Sequence, residues 1–394
     1  MTPTSPRLSL SPAPAAPHAH SLPSLTGLRF AAAALVFGYH ASLTFLPMNP
    51  FADGGLADGF ATLFSKAGWM GVSFFFVLSG FVLTWSADPR DTVTGFWRRR
   101  LLKIFPNHVV TWALALALFA GALSPLPVWL PNLFLVHSWF PEPTVYLGVN
   151  SPAWSLCSEL LFYLLFPLLI RLVLRLRTAG LWAWAAGMVA AMVAVQLVTD
   201  LLVPDSPASF GAPVSTWQFW IGYNFPPVRM FEFVLGMLLA RLVLAGRFPR
   251  VPLSAAALLA AAGYALALWV PWLYGLNVAT IVPVGVLICA VAVSDVRGMP
   301  SVLRGRAAQW LGEVSFAFYM VHYIVLTYAR TELMGGHRYG PAAGMAVLLT
   351  LFLASLLAGG LLMVCVERPV MRRWAGPKAR VAAAVRIARP EGVR

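Results

Sequence analysis

Ten runs of mostly apolar residues follow one another along this chain, each close to the roughly 20 residues that a helix needs to cross a bilayer. They fall at approximately 28–46, 69–85, 106–123, 154–174, 181–203, 228–246, 252–271, 275–293, 309–330 and 342–364. Inside hydrocarbon every backbone N–H and C=O needs a partner within the protein, and runs of this length meet that demand as helices. The expectation is an all-α, polytopic membrane bundle. Composition agrees: 59% of the side chains are hydrophobic and 11% are charged, against about 25% charged in a soluble domain. Breaks between runs fall on Pro, Gly and Asp clusters such as residues 47–55 and 203–207.

The net charge of +14 would suggest nucleic acid in a soluble protein. Its placement argues otherwise. With the N-terminus inside, 24 Lys and Arg residues fall on the inner side and four outside, at Lys66, Arg229, Arg330 and Arg338. Every inner segment is richer than its outer neighbours, as the positive-inside rule requires. The pattern predicts ten spans with both ends cytoplasmic, in the inner (plasma) membrane, with the lipid bilayer as partner and no nucleic acid. Residues 1–23 read as a disordered cytoplasmic tail, with no apolar core for a cleaved signal. Residues 24–370 form the membrane domain, and 371–394 a basic cytoplasmic tail. Cys157, Cys289 and Cys365 lie in apolar runs without metal-ligand spacing, so neither a disulfide nor a metal is expected. The inverted halves of many transporters are not visible.

Ionisable groups inside a membrane are costly, and those present invite explanation. Arg29 and His40 share the first run. Eleven residues at about 100° each bring them within about 20° on one helix face and about 16 Å apart along it. Arg29 either snorkels from the helix end or serves a site. His40 is either a packing residue or a general base, for which an imidazole is suited near neutral pH. Glu159, about two turns into the fourth run, either ties helices together or orients His40 and supports its cation. Trp154, Ser155 and Ser158 lie within about a turn of it, and Tyr163 follows one turn on; all four are candidates to line an acceptor cavity or to pack. Arg98, Arg99, Arg100 and Lys103 place four cations before the third run. They anchor the protein by the positive-inside effect, or they bind phosphates. Arg229 and Glu232, three apart near the outer surface, are expected to form a structural ion pair. Ser315, Tyr319 and His322 share a helix face, with His322 a second candidate base or substrate contact, or a packing group.

Taken in order, 25-LTGLRFAAAALVFGYH-40, 71-GVSFFFVLSGFVL-83, 98-RRRLLKIFP-106, 153-AWSLCSELLFYLLFP-167, 230-MFEFVLGMLLA-240, 311-LGEVSFAFYMVH-322 and 365-CVERPVMRR-373 resemble the acyltransferase-3 family of integral membrane O-acyltransferases. The resemblance implies a ten-helix bundle that passes an acyl group, commonly acetyl, from acyl-CoA to a hydroxyl. Acyl-CoA is then a co-substrate, with no permanently bound cofactor. Arg29 and His40 match the family's Arg-x10-His pair, Arg99 and Arg100 its basic motif at the CoA end, and Glu159 its acidic residue. Two departures stand out: Lys103 where the motif usually ends in Arg, and Cys157-Ser158-Glu159 where Ser-Val-Glu is common. The acceptor is expected to be a cell-envelope or exported glycan. A secondary metabolite such as a macrolide is the alternative acceptor, and a glycan or lipid transporter without acyl transfer is the alternative class.

Overall fold

The computed structural model describes residues 21–122 and 124–375. The two expected tails, 1–23 and 371–394, therefore lie largely outside the described residues. Among the described residues, ten helices of 15 residues or more make up the bundle. They are α1 (Pro23–Ala41), α2 (Ala67–Trp85), α3 (Val93–Ala115), α4 (Trp154–Arg175), α5 (Leu181–Leu202), α6 (Pro226–Leu244), α7 (Leu253–Ala267), α8 (Val278–Val296), α9 (Arg306–Thr327) and α10 (Pro341–Leu362). Among the described residues, seven helical segments have the length and apolarity to cross a membrane, those containing α2, α3, α4, α5, α8, α9 and α10. The other three fall short for visible reasons. Arg29 and His40 lower the apolarity of α1, Arg229, Glu232 and Arg241 that of α6, and α7 has only 15 residues.

Local sequence explains the helix ends. Proline opens α1, α6 and α10, where its missing N–H costs nothing. The carboxylate of Asp295 accepts from Ser24 N at 2.8 Å and Ser24 Oγ at 2.7 Å, and so caps the first turn of α1 from α8. Two boundaries differ from expectation. Helix α1 starts and stops about five residues early, so His40 sits in its last turn. The basic segment is not a loop: α3 runs from Val93 straight through Pro106, with Arg98, Arg99, Arg100 and Lys103 on its early turns. An interior proline removes one helical hydrogen bond, and the flanking turns carry the helix past it.

The closest packing pairs α2 with α6, α1 with α9 and α2, and α9 with α10. Helices α5 and α10 lie at the edge. On α10, Leu349, Leu353, Leu357 and Leu361 form an exposed stripe with a four-residue repeat. Water would penalise such a stripe, and lipid solvates it. The bundle is a multi-pass membrane protein.

Helices α2 and α6 touch backbone to backbone. A Cβ on Gly80 would lie 1.9 Å from the Phe233 carbonyl oxygen, and one on Gly236 2.0 Å from that of Val77. Small residues permit such approach in membrane bundles. Gly80→Ala must push the helices apart, at a cost of about 1–3 kcal/mol or more. We expect a lower melting temperature in detergent, whereas Gly187→Ala on α5, with nothing within 4 Å of its added Cβ, should melt like wild type. Equal melting of Gly80→Ala and wild type would show that the contact is slack.

Candidate active site

Helix α1 presents its two polar residues to two different cavities. Arg29 lines one of about 360 Å³, with Arg100 of α3, Glu159 and Tyr163 of α4, and Ser79 of α2. His40 lines another of about 360 Å³, with Tyr39, Trp69, Trp154 and Tyr323. Val72 and Tyr319 face both cavities, which therefore lie back to back across those two side chains. A groove of about 450 Å³ adjoins the Arg29 cavity, sharing Leu83, Ser86 and Arg100 with it. Arg99, Arg171, Asp88 and Asp91 also line this groove.

In the Arg29 cavity, Tyr163 Oη donates to the Glu159 carboxylate. The Arg100 guanidinium lies 5.9 Å from the Tyr163 ring centre and 5.8 Å from that of Phe96. Among the described residues no carboxylate forms a salt bridge with Arg29 or Arg100, and the Nε of each is buried without a hydrogen-bond partner. Two guanidiniums thus face a cavity with donors to spare, which suits an anionic or carbonyl-bearing guest. Arg99 pairs with Asp91 at 2.5 Å beside the groove.

At the other cavity, His40 Nδ1 lies 3.0 Å from the Val36 carbonyl oxygen and 3.0 Å from His322 Nε2. His322 Nδ1 lies 2.7 Å from the Tyr319 carbonyl oxygen. The Tyr319 hydroxyl contacts Ser155 Oγ at 2.8 Å and donates to the Pro152 carbonyl at 3.0 Å. This anchors the shared wall to the start of α4. Among the described residues no Lys, Arg, Asp or Glu lines the His40 cavity, and its walls are largely aromatic.

The expected site residues are divided rather than gathered. Arg29, Arg100, Ser155, Glu159 and Tyr163 reach one cavity, and Trp154 and His40 the other. Glu159 does not orient His40: it is bonded to Tyr163, and the partner of His40 is His322. Position along two helices does not decide which way their side chains turn. Lys103 lines neither the cavities nor the groove. It is held by Glu367, which also accepts from Asn107 Nδ2 at 2.7 Å, because that nearly buried carboxylate needs a cation. Arg98 also lines none of them, and Ser158 is fully buried away from them. His137, in the connection between α3 and α4, is buried 3.3 Å from Cys157 Sγ, and burial pushes it down to about 3.

Three contributors were not singled out from sequence. Arg171, which lines the groove, looks in sequence like an ordinary topology charge. Tyr39 and Tyr323, whose rings stand 5.1 Å from that of His40, look like core aromatics. Their adjacency in sequence to His40 and His322 is the only signal that marks them.

The profile of the acyltransferase domain matches residues 22–365. The chain is 41% identical over 368 residues to "Acyltransferase MdmB" of Streptomyces mycarofaciens, covering 90% of this chain and 93% of that protein. It is 26% identical over 328 residues to "Exopolysaccharide production protein ExoZ" of Rhizobium meliloti, covering 78% of this chain and 90% of that one. It is also 23% identical over 340 residues to "Peptidoglycan O-acetyltransferase OatA" of Listeria monocytogenes, covering 78% of this chain and 49% of that protein. No solved structure matches the chain significantly. A helical bundle with these motifs in this order, matched over nearly its whole length, belongs to the acyltransferase-3 family.

Proposed function

We propose that this protein transfers an acyl group, acetyl in the simplest case, from acyl-CoA to a hydroxyl-bearing acceptor. It works as a ten-pass protein of the inner (plasma) membrane with both termini in the cytoplasm. The observation that carries the reading is the pair of cavities meeting at Val72 and Tyr319, one with unpaired guanidiniums and the other with His40. The donor enters from the cytoplasmic side. Its phosphates bind at the groove to Arg99, Arg100 and Arg171, and its acyl arm extends past Arg29 toward Tyr319. The acceptor enters the other cavity beside His40.

His40 takes the hydroxyl proton as the acceptor oxygen bonds to the thioester carbonyl carbon. The tetrahedral adduct collapses with cleavage of the C–S bond, and the imidazolium returns the proton to the departing thiolate. The products are an ester and free CoA, and His40 is neutral again. The walls of the His40 cavity favour an acceptor with an apolar body that carries a hydroxyl, such as a secondary metabolite. A glycan would call for the charged and amide groups that bind sugar hydroxyls in pairs, and this cavity has none of the charged kind.

Binding of CoA to purified protein tests the donor assignment. Arg99→Ala combined with Arg100→Ala should weaken binding by about tenfold or more, since a charge-assisted hydrogen bond contributes about 1.5–3 kcal/mol. Added salt should weaken the wild type further. Most of the loss should come from Arg100, because Asp91 already occupies Arg99. Equal affinities would leave these cations as anchors only. Mass spectrometry of products formed from acetyl-CoA with an oligosaccharide or a macrolide tests the acceptor class.

A further inference from the structure

We propose that His322 is the positioning residue of the reaction: it holds His40 in the tautomer that can act as base and shares its positive charge. The proposal rests on the reading of His40 as the base. It follows from three short contacts. A carbonyl oxygen only accepts, so the 2.7 Å contact with the Tyr319 carbonyl places a proton on His322 Nδ1. The other ring nitrogen of a neutral His322, Nε2, is then a lone pair. It can only accept, and the group facing it at 3.0 Å is His40 Nδ1. His40 Nδ1 therefore carries its proton, as its 3.0 Å contact with the Val36 carbonyl also requires. That leaves Nε2 of His40 unprotonated, with no hydrogen bond among the described residues, on a side chain that lines the cavity. His322 is fully buried and lines neither of the two cavities, so it does not meet the acceptor itself.

The chain Tyr319 C=O···His322···His40 thus does what a carboxylate does for the histidine of a catalytic triad. A second imidazole suits this setting. In the resting state both rings are neutral, so no bare carboxylate waits in a low-dielectric interior. When Nε2 of His40 takes the acceptor's proton, the bond from Nδ1–H to His322 becomes charge-assisted and strengthens. The same proton returns to the leaving thiolate, so the pair ends neutral. His322 is itself held by stacking on Phe318, ring centres 5.9 Å apart and 13° from parallel.

Two substitutions separate positioning from packing. His322→Phe fills the space but offers no acceptor. His322→Gln offers an amide oxygen to His40 Nδ1–H but packs less well. With acetyl-CoA as donor and octyl glucoside as acceptor probe, His322→Phe should lower kcat by about 10²-fold or more, the scale of a misplaced general base. The KM for acetyl-CoA should stay within about twofold, and His322→Gln should regain about tenfold of the loss. A packing role predicts the reverse order, with Phe tolerated better than Gln. Nitrogen-15 NMR of histidine-labelled protein in lipid nanodiscs gives a readout that needs no acceptor, with His40→Ala assigning the signal. His40 should be protonated on Nδ1 in the wild type, where His322 and the Val36 carbonyl both accept from it, and less completely so in His322→Phe, where the Val36 carbonyl alone remains. A wild-type His40 protonated on Nε2 would overturn the proposal. So would a His322→Phe enzyme within threefold of wild type while His40→Ala is inactive. An active His40→Ala enzyme would instead sink the assignment of the base, and the NMR result would still judge the tautomer.

Discussion

Replacing His40 by alanine is expected to abolish acyl transfer while the protein still inserts and folds. The imidazole lines a cavity at the last turn of α1, so its removal enlarges a space that already exists rather than opening one in the packed core. Its chemical role has no obvious substitute. Among the described residues it is the one titratable imidazole on that cavity, and Tyr39, Tyr319 and Tyr323 are poor bases at neutral pH because their phenols hold their protons. Loss of a general base typically costs about 10²–10⁴-fold. The check is CoA release and ester formation by equal amounts of wild-type and variant protein, with elution profile and melting temperature as controls for folding. A variant that keeps more than about a tenth of the wild-type rate would remove His40 from the mechanism.

Arg229→Leu should be the most damaging single change to stability away from the site. Arg229 and Glu232 are completely buried on α6 and paired at 2.8 Å. Glu232 also accepts from Ser73 Oγ at 3.1 Å and Asn277 Nδ2 at 3.3 Å, and the guanidinium lies 4.0 Å from the Tyr223 ring centre. The pair was expected as a structural ion pair, and the structure shows it joining α6 to α2 and to the start of α8. Removing the arginine strands a carboxylate among apolar groups, which costs about 3–5 kcal/mol. Removing both charges, with Arg229→Leu and Glu232→Leu together, should recover much of that loss, since two desolvation costs disappear along with one attraction. Melting temperature and folded yield in detergent measure both variants. A single variant as stable as wild type would mean that water or lipid headgroups reach Glu232.

The class of the protein was legible without coordinates, because lipid imposes its demand one segment at a time. A run of apolar residues must be a helix whatever surrounds it, and cations must gather on one side. The placement of Arg29 and His40 on one helix face was legible for the same reason, since helical geometry is local. They were expected in one site about 16 Å apart along the helix, whereas in the structure each lines a different cavity. The extent of α3 was not legible. Charges and Pro106 read as a loop, but a helix at the membrane edge accommodates both. Partner choice was not legible either. Whether His40 meets Glu159 or His322, and whether Lys103 meets a ligand or Glu367, depends on the rotation of each helix about its own axis. That rotation is set by contacts between distant segments, such as Gly80 on the Phe233 carbonyl and Asp295 on Ser24. Only the packed bundle supplies those contacts, so sequence determined which polar groups enter the membrane, and tertiary structure decided which of them touch.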